Sequence, residues 1–330
     1  MENKIINLDE CLAEKRPLPD IQAIDGERWF PLDSTIIEDM PTYWGGEWGC
    51  SSEVNKLRAV LMRRPGKELE NFDYKEVRFR APVDAEKCRQ QHDLLADYYR
   101  SHGVKVYYVE EQREDRPNAI FERDNLFMTP EGAIITRLAM PLRRGEERYT
   151  AQTVAKLGVP IVKTIAGDGI FEGANAAWVD RHTVILSLSS RANASGYQQM
   201  ADELRRQGVT DIITMQIPYG HAHVDGLLNF ASNDTVVLHA CQVPYVVVEA
   251  LKKKGYRIIE TPSLTETKYC YATNFVAIEP GHVVMSVGAP RTVELMEKAG
   301  IKVDVLDLSE LNKGRGSVHC MTAFLKRDEQ

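Results

Sequence analysis

Along most of this chain one order of apolar and polar positions keeps returning. A polar stretch carrying apolar residues three and four apart runs into a glycine, and a β-branched apolar run follows at once. The junctions read SHGVKVYYV, KLGVPIVKTI, RQGVTDIITM, KKGYRIIETP and KAGIKVDVLD, with Gly103, Gly158, Gly208, Gly255 and Gly300 spaced 45 to 55 residues apart. Spacing by three and four marks one face of a helix, and GYQQMADELRRQ shows it in Tyr197, Met200 and Leu204. A glycine directly behind such a stretch suits the left-handed residue that ends a helix.

Short apolar runs precede the helices: LRAVLMRRP, NLFMTPEGAIITR, AAWVDRHTVILSL, GLLNFASNDTVVLHA and NFVAIEPGHVVMSV. In the last four, a tight polar turn (TPEG, VDRH, SNDT or EPGH) divides two apolar halves, as in a hairpin. The unit is therefore strand, turn, strand, helix, strand, occurring about five times. Periods of this length mark solenoids, arrays or propellers, and polar capping units are not evident at either end. The pattern predicts a closed ring of five units in one α/β domain over residues 46–330. A doubly wound sheet is the alternative that strand–helix alternation also permits. Residues 1–45 precede the repeat and are expected to form an N-terminal arm.

Composition narrows the function classes. The 330 residues are 43% hydrophobic and 27% charged, which is ordinary for a globular protein whose core needs no disulfide or metal staple. A net charge of −7, with both signs dispersed, argues against nucleic acid or an anionic membrane as partner. No apolar stretch approaches the roughly 18 residues of a membrane span, and the N-terminus lacks a basic-then-apolar export signal. A cytoplasmic location is expected. Six cysteines without a CxxC pair then read as free thiols.

The chemistry-bearing residues gather where each unit begins its first strand. FERDNLF carries Asp124 and Asn125, FEGANAAWV carries Glu172 and Asn175, and GHAHVDGLLNF carries His221, His223 and Asp225. YATNFVAI carries Asn274, and GRGSVHCMTAFL places His319 and Cys320 where a sixth start would fall. If the ring closes, these points converge on one central pocket.

Each residue has an ordinary reading beside the chemical one. A lone cysteine is usually a small buried hydrophobe, but a glycine-rich loop and an adjacent histidine suit a nucleophile. His221, His223 and Asp225 alternate and so share a strand face. They read as a base oriented by a carboxylate, as a metal site completed by Glu172 or Cys320, or as loop polarity. Glu172 could simply accept backbone N–H bonds, and Asp124 beside Arg123 could be a surface ion pair. Arg143 and Arg144 in PLRRGEER resemble a solvated charge run, while Arg191 stands just before an Asn193 or Ser195 helix cap. Taken together, carboxylates call for a cationic group and arginines for an anionic end on the same molecule. An amino acid bearing a guanidino group meets both requirements.

In this order FERDN, FEGAN, SLSSRAN, HVD and GRGSVHCMT resemble the guanidino-group-modifying (pentein) superfamily over residues 45–330. The set is most similar to its arginine deiminase and dimethylarginine dimethylaminohydrolase branch. The resemblance implies a five-bladed pseudo-symmetric ββαβ propeller that uses neither cofactor nor metal. It implies Cys320 as nucleophile, His223 as catalytic histidine and Glu172 as catalytic acid. Asp124 and Asp225 would grip the guanidinium, and Arg191 with Arg143 or Arg144 the substrate carboxylate. The family's EGGD is EGAN here, with Asn175 replacing an aspartate. Asn125, following Asp124 where many deiminases carry proline, is similar to the arginine dihydrolases of cyanobacterial type. There an asparagine near the guanidinium accompanies a second hydrolysis, giving ornithine, carbon dioxide and ammonia. The expectation is hydrolysis of arginine or a close guanidino acid, continuing to ornithine. The alternatives are a deiminase giving citrulline, an amidinotransferase passing the amidino group to an amine, and a non-catalytic binding propeller. Exposed propeller edges leave homo-oligomerisation open.

Overall fold

The structure, a computed structural model, describes residues 33–110 and 113–329. The expected arm falls outside the described residues up to position 32; its remainder includes helix α1 (Ile36–Tyr43), whose Met40 is buried in the core.

The five junction glycines end their helices as the pattern requires, each with a positive φ between 76° and 91°. Strand β1 (Leu57–Met62) leads through helix α2 (Ala85–Ser101) to strand β2 (Lys105–Tyr108), which pairs parallel with β1. The next four units each begin with the predicted hairpin. They are β3 (Leu126–Thr129), β4 (Gly132–Ile135), α3 (Glu146–Lys156) and β5 (Ile161–Thr164); then β6 (Ala176–Asp180), β7 (Thr183–Leu188), α4 (Ala194–Arg206) and β8 (Asp211–Gln216). After these come β9 (Leu228–Ser232), β10 (Thr235–Leu238), α5 (Tyr245–Lys253) and β11 (Arg257–Glu260); and β12 (Val276–Glu279), β13 (His282–Ser286), α6 (Pro290–Lys298) and β14 (Lys302–Leu306). In every hairpin the two strands run antiparallel, and the crossover helix returns a third strand parallel to the second.

The first unit lacks a hairpin partner in its own stretch of sequence. Strand β15 (Ala323–Arg327), at the far end of the chain, supplies it by pairing antiparallel with β1. The segment read as a sixth start is therefore the displaced start of the first unit. Five separate three-stranded sheets replace the single sheet of the doubly wound alternative. They meet around a ring: β15 touches β3, the turn before β6 touches β3, the turn before β9 touches β6, and β12 touches both β9 and β1.

Burial follows the same geometry. The middle strands β4 and β13 are buried throughout, whereas the outer strand β5 has none of its residues buried. A strand covered on both faces needs a continuous apolar run, which is why GAII and HVVM do not alternate. Helices bury only one stripe, as α4 does with Met200 and Leu204. Asp84 caps α2 by accepting from the backbone N–H groups of Glu86 and Lys87, and Asn193 caps α4 by accepting from Gly196. Among the described residues no helix is long and apolar enough to cross a membrane.

Candidate active site

Each unit reaches its first strand through a tight turn, and the five turns face one another at the ring's centre. The turns at Glu122–Asp124, Gly173–Asn175 and Val224–Gly226 introduce β3, β6 and β9. They pack so closely that a Cβ on Gly173 would lie 2.4 Å from the carbonyl oxygens of Arg123 and Leu126. Only glycine leaves that space empty. Bonds between turns complete the hub: the Arg123 N–H donates to the Cys320 carbonyl at 3.1 Å, and the Thr273 hydroxyl donates to the Asp225 carbonyl at 2.9 Å.

A cleft of about 710 Å³ opens over this hub, and Asp124, Arg143, Arg191, His221, His223, Asp225, Asn274 and Cys320 line it. Glu172 lies beneath, fully buried, and holds His223: its Oε2 is 2.7 Å from His223 Nε2. Its other oxygen accepts from the Ala139 N–H at 2.9 Å and from Arg191 at 3.3 Å. Burial opposes charge on the His223 ring, but Asp124 nearby and the Glu172 hydrogen bond outweigh it and raise the pKa above the usual imidazole value. Burial likewise opposes ionisation of Glu172, and the bond and charge of His223 overcome it, keeping the carboxylate ionised.

On the other side of the cleft, Cys320 Sγ lies 3.5 Å from Asp225 Oδ2 and 3.0 Å from the Asn274 side-chain amide, which donates to it. Asn274 also accepts from the Cys320 N–H at 3.2 Å. Burial, with Asp225 and Asp124 adding negative charge, pushes the thiol pKa well above its ordinary value. Both effects favour the neutral thiol over the thiolate.

Behind each carboxylate stands a cation. Asp225 accepts from His319 Nδ1 at 2.9 Å, and His319 reaches Glu53 on its other side at 3.4 Å. Glu53 in turn receives Arg123 at 3.0 Å, with Arg123 stacked over Phe324. Burial works against the Glu53 carboxylate, but Arg123 and His319 bring its pKa down to about 2. Asp124 Oδ2 accepts from Arg143 at 2.5 Å, while its Oδ1 is buried and accepts no hydrogen bond from the described residues. His223 Nε2 lies 3.6 Å from that oxygen. Breaking one member of such buried pairs would leave an uncompensated charge, so the hub resists rearrangement.

The structure thus brings Asp124, Glu172, His223, Asp225 and Cys320 around one cleft. It separates others. Arg143 reaches the cleft wall, but its guanidinium is occupied by Asp124, Glu146 and the Phe121 carbonyl. Arg144 is not among the lining residues and donates to the Leu138 carbonyl at 3.1 Å. Asn125 is buried outside the lining, its amide donating to Glu122 at 3.1 Å. Asn175 accepts from the hydroxyls of Ser187 and Ser189, which ties the turn to β7. Roles for Glu53 and Arg123 were not foreseen from sequence. The positive rim of Arg78, Arg80, Lys268 and Arg315 was likewise missed. Arg78 and Arg315 hold positive φ values of 63° and 70°, a strained backbone that marks the rim and that side-chain pattern does not reveal.

The metal reading of His221, His223 and Asp225 changes in detail. Those three do not form a compact donor set among the described residues; Asp124, Glu172 and His223 do, with donor atoms within 4.8 Å. Arg143 and Arg191 already neutralise both carboxylates, so that set is built as an ion-pair network around a histidine.

A family model described as N,N dimethylarginine dimethylhydrolase, eukaryotic, matches residues 65–327. The N(G),N(G)-dimethylarginine dimethylaminohydrolase of Pseudomonas aeruginosa is 28% identical, covering 81% of this chain and 98% of its own. An arginine deiminase of Limosilactobacillus reuteri is 22% identical, covering 84% and 98%. Among solved structures, the N-terminal domain of ArgZ, a cyanobacterial arginine dihydrolase bound to product, superposes with a TM-score of 0.71 at 16% identity, covering 83% of this chain and 98% of that one. That last likeness concerns the fold.

Proposed function

Since the chain belongs to the dimethylarginine dimethylhydrolase family of guanidino-group-modifying enzymes, we propose that it hydrolyses the guanidino group of arginine or a close guanidino amino acid through a covalent intermediate on Cys320. The observation that carries this reading is the Asp124 Oδ1 atom: a buried oxygen of a cleft-lining carboxylate, without a hydrogen-bond donor. A buried acceptor left unpaired costs about 1–3 kcal/mol or more when charged, and a cationic N–H donor relieves that cost.

A guanidinium placed between Asp124 and Asp225 donates to both carboxylates and presents its central carbon to the sulfur. Its positive charge offsets the two carboxylates that hold the thiol proton on, so the thiol gives that proton up to solvent water and the thiolate forms when substrate arrives. Sulfur then attacks the guanidinium carbon. His223, protonated through Glu172, gives its proton to the departing nitrogen, and ammonia or an alkylamine leaves as the C–N bond breaks. The product is an S-alkylthiouronium on Cys320. Water attacks the same carbon and neutral His223 takes one of its protons; the C–S bond then breaks to release the thiolate, and the remaining hydroxyl proton passes to the freed amine as the ureido C=O forms. Holding the planar cation at both edges converts a difficult bimolecular attack into an oriented one.

The substrate's anionic end falls to Arg191 and the positive rim. Arg143 acts instead as the clamp that orients Asp124. The Asn125 amide is spent on Glu122 and the residue is not among those lining the cleft, which favours a reaction that stops at the citrulline-level product. The test is to incubate the enzyme with arginine and with dimethylarginine, identify products by mass and count ammonia or amine released. One amine per ureido product supports the reading. Ornithine with two ammonia molecules means a second hydrolysis, and an amidino product formed on adding glycine means transfer.

A further inference from the structure

The seam between the last blade and the first presents three groups that this chemistry leaves unused. His282 opens β13 and Asp304 lies in β14; the parallel register pairs His282 with Lys302 and Val284 with Asp304, so His282 and Asp304 stand on one face. The end of α2, from the first blade, reaches that face. Tyr98 donates its hydroxyl to Asp304 Oδ2 at 2.7 Å, and the ring of His102, the residue that closes α2, lies 5.5 Å from that of His282. His282 Nε2 is 2.6 Å from the same carboxylate oxygen. One ring nitrogen of each histidine and an oxygen of Asp304 lie within 4.8 Å of one another.

We propose that His102, His282 and Asp304 form a binding site for a divalent transition metal of the zinc type, at the seam between the last blade and the first. Two imidazoles and a carboxylate are ligands that zinc prefers, and a water molecule would complete four-coordination. Bond lengths of about 2.0–2.1 Å set tetrahedral ligand atoms roughly 3.3 Å apart. His282 Nε2 and Asp304 Oδ2, 2.6 Å apart, would part to admit the ion, and the His102 nitrogen, within 4.8 Å of both, would close toward it.

Features behind the ligands serve the same end. His102 Nδ1 is 2.9 Å from the Tyr98 carbonyl; donating a proton there fixes the ring and leaves the lone pair on Nε2. The Tyr98 hydroxyl orients the Asp304 carboxylate in the way that outer groups orient metal ligands. His282 is buried while His102 and Asp304 are half-buried, so an ion can enter from solvent. Because the ligands come from opposite ends of the chain's ring order, a bound ion would clamp the closure that otherwise rests on the β15–β1 pairing. Binding to the folded chain alone would then stabilise it.

The test uses the full chain carrying Cys320→Ser, which removes the cleft thiol as a competing ligand. Protein stripped with chelator is titrated with zinc chloride by calorimetry, and Tm is recorded with and without zinc. The site predicts one saturable equivalent lost on His102→Ala, a change at a half-exposed position that leaves the zinc-free Tm unaltered. Removing a direct ligand should weaken zinc by about a hundredfold or more, beyond the 10–100-fold typical of outer-shell changes. Asp304→Asn should weaken binding in parallel and, like His102→Ala, abolish the zinc-dependent rise in Tm. In the chain with native Cys320, His102→Ala leaves hydrolysis unchanged. Absence of saturable binding, or binding unaffected by both changes, overturns the site.

Discussion

Glu172→Gln isolates what the buried carboxylate does for His223. The side chain keeps its shape and an acceptor oxygen, but the negative charge 2.7 Å from Nε2 is gone. A hydrogen bond to a charged group contributes about 1.5–3 kcal/mol, and about 1.4 kcal/mol corresponds to a factor of ten. The His223 pKa, held up by Asp124 and Glu172 against burial, should therefore fall. In the proposed reaction its protonated form delivers a proton to the leaving nitrogen. The basic limb of the pH–rate profile should then move to lower pH, and above both limbs the rate should drop about tenfold to a hundredfold. The assay is ureido-product formation across pH at saturating arginine, with far-ultraviolet circular dichroism to check the fold. A basic limb left in place, with the rate lowered equally at every pH, would refute the role given to Glu172.

Three further outcomes follow from the same hub. Phe324 is buried in β15 beneath Arg123 and Arg327, with their guanidinium carbons 4.8 and 4.1 Å from its ring centre, so Phe324→Ala should cost about 3–5 kcal/mol in urea unfolding. Gly173→Ala, which forces a Cβ against two carbonyl oxygens, should sharply reduce kcat as the turns carrying Asp124 and Glu172 are pushed apart; unchanged kcat would mean the hub yields easily. Because burial and then the two aspartates hold the Cys320 thiol protonated, iodoacetamide should label it slowly at neutral pH and faster as pH rises. A chloroacetamidine, carrying its own cation into the cleft, should react faster; equal rates for both reagents would contradict the charge balance.

Much of the architecture is legible in local pattern because its determinants are local. The junction glycines, the polar hairpin turns and the Asn193 cap each depend on neighbours a few residues away. Ring closure is different: β15 pairs with β1 across nearly the whole chain, and no short-range signal reports it, so the last strand looks like the start of a sixth unit. The site divides in the same way. Asp124, Glu172, His223, Asp225 and Cys320 stand out because each opens an apolar strand where polarity is out of place. Arg143 misleads, since RRGEE reads as a solvated run until Asp124, distant in sequence, turns the first arginine inward. Glu53 hides for a related reason: it precedes β1, the one unit whose hairpin partner lies elsewhere, so nothing marks it as a hub position.

The central claim is covalent chemistry at one sulfur, and rapid acid quenching during turnover followed by intact-mass and peptide analysis tests it most directly. Quenched with arginine, the chain should gain the mass of arginine less ammonia, located on Cys320, and dimethylarginine should leave the same adduct after losing dimethylamine. Cys320→Ser should show neither adduct nor turnover. Steady turnover by that variant, or an adduct on a different residue, would contradict the account.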